Sequence, residues 1–176
     1  MKTKYNTLMS TTTLALCAAV LTFSSHAVAA PKDTLNAADV TFVKHEGAAG
    51  TAELKLAELG VKKAGRADVK AFAEMIVADH TIANAELAKL ATTKGVELSS
   101  VIDPSDSGTF QKLEKYSGTE FDKEFLSQMV SAHKKCVANF EAASKDSKDS
   151  DVKAFADKML PTLKAHHDKA VELSSE

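Results

Sequence analysis

Four long stretches of helical periodicity, the absence of strand periodicity and two short connections predict an all-α chain folded as a four-helix bundle. Within each stretch the apolar residues return every three or four positions, as one buried face of a helix requires. Ala, Leu, Lys and Glu, all good helix formers, dominate these segments. No sustained alternation of apolar and polar residues marks a half-buried strand.

The first 29 residues are expected to stand outside this fold. Lys2 and Lys4 give a positive start, LALCAAVLTF (14–23) is an apolar run, and Ala27-Val28-Ala29 ends in a small-x-small cleavage signal. This pattern predicts a secretory signal peptide cut after Ala29, and a protein exported to the periplasm. The run falls short of the roughly 20 apolar residues that span a bilayer. Leu16 precedes Cys17 where a lipidation signal requires Gly or Ala. Residues 30–176 remain, enough for one domain with a core of its own. Their net charge is −4, because the full chain carries −2 and the leader removes two lysines and no acid. Without a basic patch, nucleic acid is excluded as the expected partner. Cys136 is the one cysteine after the leader, so neither an internal disulfide nor a CxxC motif is available. No segment beyond the leader is apolar enough to cross a membrane as a helix.

The first helix is expected from about Asn36 to Lys63, with Asn36 and Asp39 at its cap. The second runs from Asp68, as N-cap, to about Lys94, and Gly95 ends it. The third starts at Thr119, whose hydroxyl and the Asp122 carboxylate form a capping box, and ends near Ser144. The fourth opens at Ser150 or Asp151 and reaches about Leu173. Inside it, Pro161 lacks a backbone donor and frees the carbonyl of Asp157. Helices one and two are joined around Gly65, and three and four by SKDSKDS (144–150). The segment GVELSSVIDPSDSGTFQKLEKYSG (95–118) is longer, with a short helix expected at 109–116. Extended, it exceeds the roughly 40 Å length of such helices, which permits a crossover of the ferritin-like kind.

An internal repeat links the two hairpins. Asp68-Val69-Lys70-Ala71-Phe72-Ala73 recurs as Asp151-Val152-Lys153-Ala154-Phe155-Ala156. At the same offset Phe42 falls on Phe125 and Glu58 on Glu141; after a short slip, His80 aligns with His166.

Residues equally far from a hairpin turn lie side by side. Counting from the turns near 65 and 147, Glu53, His80, His133 and His166 all fall at mid-height. The apolar stripe of the second helix breaks at Asp79 and His80, while His166 lies in phase with the core of the fourth. His133 is read one step off the stripe of the third helix, and Glu46 and Glu53 on the border of the first. Converging imidazoles with a carboxylate suit Cu, Zn or Fe. The candidate ligands are therefore His80, His133, His166 and Glu53. Asp79, Glu46 and Met129 are secondary candidates, and Asp79 is suited to orienting a histidine ring. Cys136 lies on the core stripe and is read as packing.

ELKLAELG (53–60), MIVADHTIANAEL (75–87), FDKEFLSQMVSAH (121–133) and MLPTLKAHHDKA (159–170) resemble the bacterial "domain of unknown function 4142" family, often labelled "predicted outer membrane protein". The resemblance runs from about Ala38 to Leu173 and implies an exported, ferritin-like helical bundle without an established activity. The di-iron pattern of ferritin-type oxidases is absent. Val77 and Leu163 stand three residues before His80 and His166, where Glu would be needed, and Cys136 occupies the repeat position of Glu53. Two functions stay open: a periplasmic metal-binding protein, and an envelope interaction module whose polar centre is a hydrogen-bonded network. An enzyme is the weaker third, because no nucleophile–base pair, Gly-rich loop, GxSxG or HExxH motif is present.

Overall fold

The computed structural model describes residues 35–99 and 104–176, so the expected leader (1–29) lies outside the described residues. Five helices are found among the described residues: α1 (Ala37–Lys63), α2 (Ala67–Lys94), α3 (Pro104–Leu113), α4 (Gly118–Asp146) and α5 (Ser150–Ser174). There is no strand among the described residues, and no helix among them is long and apolar enough to cross a membrane.

The helix starts show which polar residues were free to cap. Asn36 accepts the N–H groups of Ala38 and Asp39 at 2.9 and 3.0 Å, and its amide donates to Asp39. Helix α2 opens earlier than the sequence suggested, at Ala67. Asp68 therefore sits in the first turn and takes the guanidinium of Arg66 through both carboxylate oxygens. The expected capping box on α4 is not formed. Asp122 instead accepts the backbone N–H groups of Gly65 and Arg66, both at 2.9 Å, so the turn between α1 and α2 has claimed its carboxylate. Helix α3 also begins earlier than expected. It starts at Pro104, and proline suits the first position of a helix, where no backbone donor is required.

The end contacts define the topology. At one end, Asp122 at the start of α4 holds the α1–α2 turn, and Arg66 donates to the carbonyl of Leu173 at the end of α5. At the other, Lys94 in the last turn of α2 binds Asp149 and Asp151 at the start of α5, at 2.7 and 2.8 Å. Helices α2 and α4 thus start at the same end and run parallel. Helix α1 packs on α2 and α4, and α5 packs on α4 and α2. The chain from Gly95 to Ser117 must therefore return over the full height of the bundle, which is the ferritin-like crossover.

Two apolar clusters fill the interior. One gathers Leu56, Phe72, Ile76, Phe121, Phe125 and Met129, with Leu173 beside them. The other gathers Val43, Leu87, Phe140, Val152, Phe155 and Leu163. Val69, Phe72 and Ala73 belong to the first cluster, and their repeat partners Val152, Phe155 and Ala156 to the second. The related hairpins therefore bury matching sequence at opposite ends. The first cluster is closed by a tight approach at Gly60, where an added Cβ would lie 2.8 Å from the Ala73 Cβ and 3.0 Å from the Phe125 ring. Neither neighbour is a flexible chain end. Gly60→Ala is expected to lose about 1–2 kcal/mol in urea unfolding, although Ala is the better helix former. An unchanged or raised midpoint would show that the helices separate without cost.

Candidate functional site

Between the two clusters each long helix contributes one polar side chain: Glu53 from α1, His80 from α2, His133 from α4 and His166 from α5. All are buried, with His133 at 0% and His166 at 1% exposure. The ring centroids of the three histidines lie 5.2–5.7 Å apart. One nitrogen from each ring lies within 4.8 Å of the others.

Helical spacing explains this layer, with two corrections to the reading from periodicity. His133 is not at the flank of the core. Helix α4 packs against both α1 and α5, so its buried stripe widens to take in Asp122, Leu126 and His133. Glu46 and Glu53 are likewise buried rather than bordering, at 4% and 5% exposure.

Two of the rings have one nitrogen fixed by an acceptor. His133 Nδ1 donates to the carbonyl of Met129 at 3.0 Å. His166 Nε2 donates to Asp79 at 2.8 Å. The backbone carbonyl of Gly50 acts on His80 as an acceptor, raising its pKa slightly against the effect of burial. The remaining nitrogens, His80 Nε2, His133 Nε2 and His166 Nδ1, have no hydrogen-bond partner. Reversing a ring would set a lone pair against an acceptor oxygen, so these contacts select the tautomer that turns the other lone pair inward. Glu53 Oε2 stands 3.4 Å from His80 Nε2 and 3.6 Å from His133 Nε2.

Burial also keeps the rings neutral. It pushes His80 down to about 4, helped by His166 and opposed by Asp79. It pushes His133 down to about 3, helped by the two neighbouring imidazoles. His166 is lowered by burial against the opposing hydrogen bond to Asp79. At neutral pH the layer thus presents three uncharged nitrogen donors beside a carboxylate. Such a set answers the donor chemistry of a borderline transition-metal ion. An ion with metal–nitrogen distances of about 2.0–2.1 Å would draw the rings inward by less than an ångström each.

The secondary candidates separate. Asp79 reaches the layer through His166. Glu46 hydrogen-bonds none of the three histidines of the layer, accepting instead from His45, from Asn139 and from the Cys136 thiol, which is 3.3 Å away. Burial, then Glu46, pushes the Cys136 thiol up, so it stays protonated. Met129 gives the layer its backbone carbonyl, while its side chain joins the first apolar cluster. Two participants escaped the sequence reading. The Gly50 carbonyl acts on His80, and Asn84, one turn after His80, donates to the same carbonyl at 3.0 Å. A side chain at Gly50 would place Cβ 2.3 Å from the Asn84 oxygen. The i, i+4 pair His80 and Asn84 was the available signal.

The family model "Domain of unknown function (DUF4142)" matches residues 24–173. No curated protein matches the chain. Among solved structures, the fold is similar to a DUF305 fragment from Deinococcus radiodurans, with a TM-score of 0.72, 16% identity, and coverage of 81% of this chain and 98% of that one. It is also similar to CopM in the Cu(I)-bound form, with a TM-score of 0.63, 18% identity, and coverage of 76% and 93%. At these identities the likeness concerns the fold.

Proposed function

Because the chain belongs to the DUF4142 family, whose description names no activity, function has to be read from its own site, and we propose that it is an exported metal-binding protein. One transition-metal ion, Cu, Zn or Fe, is held by His80, His133 and His166, with Glu53 as a further donor. Asp79 orients His166, the role a carboxylate commonly plays behind a ligating imidazole. The observation that carries this reading is the convergence of three buried ring nitrogens without hydrogen-bond partners. Left without a cation, facing lone pairs in a dry interior are costly. Copper comes first within the class because a protein of similar fold is described in a Cu(I)-bound form. The features of the leader support a periplasmic address.

The test is to isolate the untagged chain from the periplasmic fraction and measure its amino terminus and metal content. A chain beginning at Ala30 with one ion per molecule is expected. A full-length cytoplasmic chain would overturn the address, and a metal-free chain that takes up no added ion would overturn the site. Asp79→Ala is expected to weaken binding about 10-fold, the low end for such partners, because water can replace a carboxylate that is 39% exposed. Undiminished affinity in a competition titration would remove Asp79 from the site.

A further inference from the structure

We propose that the metal centre keeps an open coordination position facing a cavity between α2 and α5, and that this position takes a neutral, nitrogen-donating small molecule. The inference rests on the metal reading above.

The cavity measures about 260 Å³, and His80, His166 and Glu53 form part of its lining. His133, on α4, does not line it and is wholly buried, so this ring closes the other side of the layer. Three imidazoles with Glu53 fill a four-coordinate ion, and an outside ligand joins as a fifth donor or takes the place of Glu53, as sites open to an outside ligand allow. Because His80, His166 and Glu53 sit in the cavity wall while His133 is buried behind them, the position for an outside ligand is on the cavity side. Glu53 is placed either to share the ion or to accept a hydrogen bond from what enters.

The lining selects the class of ligand. Leu87, Phe140, Phe155, Met159 and Leu163 make much of it apolar, so a hydrated ion would lose water without replacement. Glu46, Glu53 and Asp79 add carboxylates, which repel an anion. Lys158 is the one Lys or Arg of the lining, and Glu86 engages its ammonium at 2.6 and 2.7 Å across α2 and α5. An uncharged ring with one donor nitrogen satisfies both constraints. The space is sufficient, since a cavity of about 150 Å³ accepts a benzene-sized ring. The Lys158–Glu86 pair joins α5 to α2 within the lining, to which Ile82, 60% exposed, also belongs.

The experiment loads the chain with Co(II), whose visible bands report coordination, and titrates it with 4-methylimidazole and, separately, azide. A saturable one-to-one spectral change with 4-methylimidazole is expected, at least tenfold tighter than azide, with cobalt still bound after desalting. Ala83→Trp, which fills the cavity from a residue that is not a ligand, is expected to load cobalt normally and to bind 4-methylimidazole at least tenfold more weakly. A loaded protein whose spectrum ignores 4-methylimidazole overturns this inference alone; failure to load cobalt overturns it together with the metal reading. Tighter binding of azide, or an unaltered response in Ala83→Trp, also overturns it. Should that variant not fold, the wild-type titration still decides.

Discussion

Saturating Zn(II) is expected to raise the melting temperature of the metal-free chain by about 10 °C, and His133→Ala is expected to abolish that rise. The size follows from mass action. An ion that binds only the folded chain, at a thousand times its dissociation constant, adds about 4 kcal/mol. For a domain of this size each kcal/mol is worth about 3 °C. The ligands come from four different helices, so the unfolded chain offers no comparable site. His133 is the informative position because it is fully buried and its Nε2 has no hydrogen-bond partner. Alanine there removes a donor while leaving the surface unaltered. Scanning calorimetry of both proteins, with and without the ion, decides the matter. An equal rise in the variant would put the ion elsewhere.

Acidifying the metal-free chain from pH 7 toward 4 is expected to remove a few kcal/mol of stability, and His133→Leu should recover part of it. An unfolded histidine takes up a proton near pH 6.5, whereas burial holds His80 down to about 4 and His133 down to about 3. Below pH 6.5 the unfolded state therefore binds more protons, and stability falls as pH falls. The loss is absent above pH 6.5, grows at up to about 1.4 kcal/mol per pH unit for each ring, and stops once the folded rings protonate. Asp68, held low by Arg66, and Asp149, held low by Lys94 against its partial burial, remain charged down to pH 5. The interval from 6.5 to 5 therefore isolates the imidazoles. Urea unfolding across it gives the slope, and a flat profile in the wild-type chain would contradict the buried neutral state of the rings. Bound metal should be held through this interval and released further down, toward pH 4, where protons begin to compete for the nitrogens.

Much of the layer could be read from the chain because helices carry height and facing in their spacing. The break in the apolar stripe at Asp79 and His80, the in-phase His166 and the level of Glu53 all follow from that arithmetic. His133 was placed one step off because periodicity gives the centre of a buried face and not its width. The width depends on how many neighbours a helix meets, and α4 meets two along its length. The Gly50 carbonyl was illegible for another reason: a backbone acceptor has no residue type to announce it. Asp122 shows the same limit for caps. Its spacing from Thr119 fitted a local bond, and a distant turn offered two donors instead. The cavity wall joins residues of all four long helices, a grouping that no single stretch contains.

The interruption of the core by Glu53 and the three histidines also settles how far each helix slides along its neighbours. Aliphatic and aromatic layers tolerate a one-turn slip, because Leu, Phe and Ile replace one another at modest cost. A slip here would bring His133 level with Ala49 or Leu56, and leave imidazole nitrogens facing hydrocarbon without either acceptors or an ion. The repeat makes such a safeguard useful, since near-identical hairpins invite alternative pairings. The polar layer thus works as an alignment mark for the bundle, and the same four residues that gather at its centre tell the helices where that centre is.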